Sequence, residues 1–127
     1  LEVKPPLMGA SKCVMQPMRG AEDIRSWLYA RNYPVLEDRV VLDAGRFYQV
    51  FSVGKPTEKP QPLPKGWPKD CFLVGYRAFQ TREPMMKTLV EHMLATTNRK
   101  LRTQHAEALI AQRAQLEQIL EQWELEP

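Results

Sequence analysis

The strongest constraint on the fold is a strand-turn-strand pattern in which one strand is apolar on both faces. Residues 40–42 and 47–53 flank Asp43-Ala44-Gly45, a short connection with glycine where a hairpin needs a positive φ. Alternation places Phe47, Gln49, Phe51 and Val53 on one face and Tyr48, Val50 and Ser52 on the other. Such a strand lies in the middle of a sheet or under helices, so we expect further sheet or helix to pack against this hairpin.

The residues before the hairpin predict a strand followed by a helix. Residues 13–15 form a short apolar run that stops at Gln16-Pro17, which is typical of a buried strand ending at a loop. Residues 21–31 carry apolar side chains at helical spacing, with acidic residues first and arginines later, as the helix dipole favours. Asn32 and Pro34 predict the end of this helix. A strand, a helix and a hairpin in this order predict an α/β fold.

A proline-rich stretch divides the chain after the hairpin. Five prolines between residues 54 and 68 exclude regular helix or sheet and favour an extended, semi-rigid connector. We expect Trp67 to anchor the end of this connector onto a neighbouring domain. The predicted division is therefore an α/β part over residues 1–54, a Pro- and Lys-rich linker over 55–68, and a helical extension over 69–127.

The extension is predicted to be helical because residues 85–125 contain neither glycine nor proline. Thr81 is a candidate N-cap, with Pro84 in the first turn. Two apolar stripes, within residues 86–94 and 109–123, flank a polar middle. A helical hairpin lets the stripes face each other, whereas one helix of about 40 residues, about 60 Å long, has to find another chain.

Composition and motifs exclude several classes of protein. The chain has 127 residues and a net charge of +3, and no apolar run approaches the roughly 18 residues of a membrane span, so we expect no membrane partner. Two isolated cysteines favour reduced thiols. The six glycines form no phosphate-binding loop. His92 and His105 have no further ligand at suitable spacing, so we predict no metal site.

Three elements agree, in order and spacing, with the pattern of one family. The pattern has a strand ending in Gln-Pro, a helix of the form Ala-x-x-(Leu/Ile)-Arg-x-Trp-Leu, and a hairpin ending in Gly-(Lys/Arg)-Phe-Tyr. The matching residues are Gln16-Pro17, Ala21, Ile24-Arg25, Trp27-Leu28 and Gly45-Arg46-Phe47-Tyr48. On these residues, the stretch 12–53 resembles the later part of the bacterial tRNA (adenine(22)-N1)-methyltransferase family.

The resemblance implies a class I methyltransferase that uses S-adenosylmethionine, acts on tRNA and works in the cytoplasm. The chain then supplies the last strands and helix of a Rossmann-like sheet, followed by a coiled-coil-like C-terminal arm that helps to hold tRNA. In relatives the Gly-rich cofactor loop lies upstream of the matching residues. The resemblance therefore implies that this chain is inactive without an N-terminal cofactor-binding half.

Six residues are candidates for the site. Gln16 and Pro17 are the catalytic candidates, because open α/β sheets place ligands at the carboxyl ends of parallel strands; the alternative is that they only end a strand. Arg19, Arg99, Lys100 and Arg102 are candidates for phosphate contacts with RNA; the alternative is a solvated charged surface. A second hypothesis is a non-catalytic interaction module that forms a homodimer, or binds a protein partner, through the helical arm.

Overall fold

A computed structural model describes residues 13–15 and 20–125 of the chain. Within these ranges the fold combines one small sheet with four helices. In chain order, the elements are β1 (Cys13–Met15), α1 (Ala21–Ala30), β2 (Val35–Asp43), β3 (Arg46–Val53), α2 (Tyr76–Gln80), α3 (Met86–Leu101) and α4 (Glu107–Leu125).

Among the described residues the sheet has three antiparallel strands in the order β1-β3-β2, so the strand that is apolar on both faces is central, as its sequence predicts. The hairpin is confirmed, but its connection is shorter than predicted. Asp43 pairs with Arg46, which leaves Ala44 and Gly45 as a two-residue turn. Both turn residues have positive φ, 50° and 78°, as a hairpin that follows the right-handed twist of its strands requires.

Helix α1 packs on the sheet through its apolar face. Ile24 and Leu28 are buried in one cluster with Phe51 and Val53 of β3. The helix ends at Ala30, one residue earlier than predicted, and Asn32 adopts a φ of 60°, the left-handed conformation expected of it.

The proline-rich segment 55–68 lies along the end of the hairpin. The Thr57 amide donates to the Asn32 carbonyl (2.9 Å). The Gln61 carboxamide accepts from the Val35 amide (2.8 Å) and donates to the Val35 carbonyl (2.9 Å). Trp67 donates from Nε1 to the Cys71 carbonyl (2.9 Å) and packs against both hydrophobic clusters, which confirms its anchoring role. The division into three parts stays a prediction.

Helices α3 and α4 form a helical hairpin, so the alternative of one continuous helix is wrong. The two apolar stripes are buried against each other and against the β2–β3 hairpin. Their cluster contains Met86, Leu89, Val90, Leu116 and Ile119. A polar contact joins the helices where Gln112 donates from Nε2 to the buried Thr97 hydroxyl (2.8 Å). The interaction-module hypothesis depended on these two apolar stripes being free to bind a partner, and they are covered within the chain.

The region before α3 differs from its prediction. Thr81 does not cap α3, which begins at Met86; it ends the short helix α2, and its hydroxyl donates to the Arg77 carbonyl (3.0 Å). Arg82 follows with a φ of 56° and donates to the Trp123 carbonyl (2.9 Å) while stacking over the indole ring. The α2–α3 connection therefore binds the end of α4.

Candidate functional site

The catalytic candidates Gln16 and Pro17, and the candidate RNA contact Arg19, lie outside the described residues. The strand before them, β1, is antiparallel to β3, and its last residue, Met15, pairs with Phe51, the sixth of the eight residues of β3. The described end of β1, at Met15, therefore lies beside the central strand of the described sheet. Their catalytic assignment stays a prediction.

The other three predicted RNA contacts are brought together at the tip of the helical hairpin. Arg99 and Lys100 lie in the last turn of α3, and Arg102 caps it. All three side chains are exposed. Cations at a helix C-terminus also stabilise the helix dipole, so this position alone gives them a structural role. All three lie where the chain leaves α3 for α4, so their charged groups are accessible to solvent.

A buried ion pair between α1 and β2 is the most constrained polar group in the described chain. Arg25 donates from Nε and Nη2 to both carboxylate oxygens of Asp38, at 2.9 to 3.1 Å. Each side chain is only 1% exposed. The guanidinium also lies over the Phe51 ring, 4.9 Å from its centroid. The sequence held one signal for this pair, because Arg25 falls on the apolar face of α1 beside Ile24 and Leu28.

The Asp38 carboxylate is also pressed against the backbone of Gly75. A Cβ at Gly75 would lie 2.0 Å from Asp38 Oδ2, so only glycine fits at the start of α2. Burial raises the pKa of Asp38 above its usual value, and the adjacent Arg25 counteracts part of this rise. The ion pair therefore joins α1, β2 and the start of α2, and its role is structural.

A second carboxylate, Glu83, lines a shallow cleft of about 350 Å³ between β2 and the α2–α3 connection. Glu83 is buried and forms an ion pair with Arg39, whose side chain is largely exposed. Asp38 also lines the cleft. The two carboxylates are buried, with side chains 1% and 4% exposed, so neither presents its oxygens to a ligand hydroxyl. The cleft therefore does not provide the acidic contact that a cofactor such as S-adenosylmethionine would need there.

Other chemistry is not supported by the described residues. Among residues 13–15 and 20–125, no three His, Cys, Asp or Glu side chains are grouped so that they could hold a metal ion. His92 is exposed, with its ring 5.0 Å from that of Phe47, and His105 is exposed in the bend. Burial raises the pKa of the Cys71 thiol, which disfavours the nucleophilic thiolate. No helix in the described ranges has both the length and the apolar character to cross a bilayer.

The described sheet and helices define an α/β protein with Rossmann-like neighbours. A Streptococcus agalactiae protein of the NADB-Rossmann superfamily matches with a TM-score of 0.62 and 17% identity, over 94% of this chain and 48% of that one. A Streptococcus pneumoniae protein in complex with S-adenosyl-L-methionine matches with a TM-score of 0.70 and 16% identity, over 90% and 49%. M. capricolum TrmK, in complex with S-adenosyl-homocysteine, matches with a TM-score of 0.64 and 12% identity, over 91% and 50%. This chain spans about half the length of each.

The family follows from the sequence. The model of the tRNA (adenine(22)-N(1))-methyltransferase family, TrmK, matches residues 2–125. The chain therefore belongs to this family, which confirms the resemblance seen in the hairpin and the helix before it. No curated protein matches the chain.

Proposed function

We propose that the chain is the C-terminal part of a tRNA adenine-N1 methyltransferase that uses S-adenosylmethionine. The observation that carries this proposal is the family match, which runs from residue 2 to residue 125 and thus includes both the sheet and the helical hairpin. The cytoplasm, where a bacterial tRNA-modifying enzyme meets its substrate, is the compartment that this function requires.

The proposal assigns cofactor binding to an N-terminal half and gives this chain no methyltransferase activity alone. The absence of a Gly-rich loop from the sequence supports this assignment, as does the burial of the Asp38 and Glu83 carboxylates. Isothermal titration of the 127-residue chain with S-adenosylmethionine should therefore give no measurable heat of binding. Micromolar binding would contradict the division between the two halves.

Activity is tested by expressing the chain joined to the product of its upstream reading frame. Transfer of a labelled methyl group from S-adenosylmethionine to tRNA should appear only in the joined protein, and mapping should place it on adenine N1. An active joined protein that methylates another class of RNA, or another atom, would refute the proposed substrate.

Within the joined enzyme, Gln16 is proposed to hydrogen-bond the target base or the cofactor, with Pro17 as part of the same catalytic site. Methyl transfer needs the ring nitrogen in line with the sulfonium methyl group, so positioning provides much of the rate. Gln16→Ala should lower kcat more than it weakens tRNA binding. Equal loss in both would indicate a purely structural role.

The proposed contacts with tRNA are the exposed cations at the tip of the helical hairpin (the arm tip), which are Arg99, Lys100 and Arg102. Arg19 is proposed as a further contact. Phosphate contacts release counterions, so binding should weaken steeply with salt. Replacing the three arm residues with alanine should raise the dissociation constant and flatten its salt dependence. Unchanged binding would remove the arm tip from the interface.

A further inference from the structure

The hydrophobic seam of the helical hairpin, where the two apolar stripes meet, ends in a polar residue toward the arm tip. The buried residues of α3 are Met86, Leu89, Val90 and Thr97, and those of α4 are Leu116 and Ile119. Thr97 is the polar one of these six, and it is only 1% exposed. It is also the buried residue nearest to the end of α3, which lies four residues further on at Leu101.

The Thr97 hydroxyl both donates and accepts a hydrogen bond in this seam. It donates to the Met93 carbonyl one turn earlier in α3 (2.8 Å) and accepts from Nε2 of Gln112 in α4 (2.8 Å). Gln112 lies three residues after Leu109 and four before Leu116, so it occupies a position of the apolar stripe of α4. A polar pair thus replaces an apolar pair where the two helices approach the bend.

The residues of the bend do not determine where α3 ends. Residues 98–106 contain neither glycine nor proline, so they hold no strong stop signal. The last turn is closed by the Thr103 and Gln104 amides, which donate to the Lys100 carbonyl (3.2 and 2.9 Å). Bonds of this kind form wherever a helix ends. The end of α3 therefore has to be fixed by packing against α4.

Apolar packing alone leaves more than one register open. The apolar positions of each stripe recur about once per turn, so a slide of one helix by one turn, about 5.4 Å, sets apolar side chains against apolar side chains again. The same slide separates Gln112 from the Thr97 hydroxyl and leaves polar groups in the seam without partners, which costs free energy. A polar residue in such a seam specifies the register of paired helices, at a cost in stability.

The predicted RNA contacts lie at the end of α3 that this register fixes. Arg99 and Lys100 follow Thr97 by two and three residues, and Arg102 follows it by five. All three therefore lie within about 8 Å of Thr97 along the helix axis. A slide of one turn would change which residues form the last turn of α3 and which form the bend. The arrangement of the three cations thus depends on the contact between Thr97 and Gln112.

We propose that Thr97 and Gln112 are positioning residues, whose hydrogen bond fixes the register of the helical hairpin and thereby holds Arg99, Lys100 and Arg102 for contact with tRNA phosphates. This inference rests on the proposed tRNA-binding function and deepens it. Cations that are held in place before binding lose less conformational freedom when they meet phosphates, so a fixed register contributes to affinity.

The experiment separates register from stability by replacing the polar pair with an apolar one. In the double variant Thr97→Val/Gln112→Leu the seam is apolar to its end, so the urea midpoint of the 127-residue chain should stay the same or rise. Fluorescence anisotropy at 50 and 200 mM salt measures tRNA binding, and each phosphate contact makes Kd rise about threefold over this change. The double variant should bind severalfold more weakly at 50 mM and lose at least one such threefold factor.

Val90→Ala is the matched control, because Val90 is buried in the same seam, about 10 Å before Thr97 along α3. This variant should have a lower urea midpoint but a tRNA Kd within twofold of the parent. A purely structural role of the polar pair predicts instead that binding follows stability in both variants. Thr97→Ser keeps the hydroxyl and should restore binding to within twofold of the parent.

A third comparison identifies the residues through which the polar pair acts. In a chain whose Arg99, Lys100 and Arg102 are replaced by alanine, Thr97→Val/Gln112→Leu should cause no further loss of binding, because the contacts that it misplaces are already gone. Circular dichroism of every variant confirms that a loss of binding is not a loss of fold. If the double variant did not fold, Gln112→Ala, at a half-buried side chain, would provide the same test.

Binding equal to that of the parent in the double variant would overturn the positioning role, as would an undiminished further loss in the alanine background. Either result would leave the proposed tRNA contacts of the arm tip intact. If the alanine replacement of Arg99, Lys100 and Arg102 did not weaken binding, those contacts would be rejected, and the positioning role with them.

Discussion

Replacement of Arg25 by alanine leaves the Asp38 carboxylate buried without the guanidinium that binds it. The two side chains are each 1% exposed, and contacts of 2.9 to 3.1 Å join them. Removing one partner of a buried pair costs about 3–5 kcal/mol, because the other charge stays out of water. For a chain of this size, 1 kcal/mol changes Tm by about 3–5 °C, so we expect Tm to fall by about 10–20 °C.

The cost should also depend on pH. Burial raises the pKa of Asp38 above its ordinary value of 3.8, and Arg25 lowers it. Without Arg25, nothing opposes the effect of burial on the pKa of Asp38. Between the pKa of the unfolded chain and the higher pKa of the folded variant, Asp38 is therefore protonated in the folded state and ionised in the unfolded one. The free energy of unfolding of the variant is highest below pH 3.8. It falls by about 1.4 kcal/mol per pH unit as the pH rises from there through the higher pKa of Asp38 in the folded state. The variant should resemble the parent most closely near pH 4 and least at pH 7.

Urea unfolding monitored by circular dichroism at pH 4, 5.5 and 7 measures both effects. Arg31→Ala is the control, because this exposed arginine stacks on Trp27 at the surface, and we expect it to cost about 1 kcal/mol or less at every pH. A cost for Arg25→Ala below about 1 kcal/mol, or one that does not change with pH, would refute the reasoning.

Three further predictions concern the packing around this pair and the arm. Gly75→Ala should cost about 3 kcal/mol or more, since its Cβ would displace the Asp38 carboxylate, and should cost little in an Asp38→Ala background. Burial raises the pKa of Tyr76 to about 12, so the folded state keeps its phenolic proton and loses stability as pH rises from 10 to 12. Leu116→Ala should cost about 2–5 kcal/mol, whereas Leu125→Ala, at a side chain 65% exposed, should cost under about 0.5 kcal/mol. Urea unfolding measures the glycine and leucine variants, and absorbance at 295 nm follows the tyrosine. Equal costs of Gly75→Ala in the two backgrounds, ionisation of every tyrosine near pH 10, or equal costs of the two leucine variants would contradict the respective arguments.

Local sequence patterns were sufficient to predict most of the helices and strands. The alternation in residues 47–53 and the glycine in the turn predict the hairpin, and the spacing of Ile24 and Leu28 predicts α1. The bend of the arm lacks glycine and proline, so the sequence could not decide between a helical hairpin and one helix. Packing decides it, because the stripe around Leu89 finds its partner in the stripe around Leu116.

The sequence could not predict contacts that depend on register. The Arg25–Asp38 pair requires α1 to cross the sheet opposite one position of β2, and no local pattern fixes that crossing. The same holds for the Phe47–His92 contact, which joins residues 45 positions apart in the chain. The candidate catalytic residues were found through the family resemblance, since Gln16 and Pro17 carry no pattern of their own beyond the end of a strand.

The contact of Gln61 with Val35 covers part of the exposed edge of the sheet. In the described sheet β2 is an edge strand, and an edge offers free amides and carbonyls to any other strand that approaches. The Gln61 carboxamide satisfies both backbone groups of Val35, as a neighbouring peptide unit would, and the Tyr76 hydroxyl donates to the same oxygen at 2.5 Å. A side chain from a loop thus occupies the edge at Val35, the first residue of β2, where a further strand could begin to pair. A substitution of Gln61 would therefore expose an amide and a carbonyl at this edge, even where the surrounding proline-rich backbone tolerates the change.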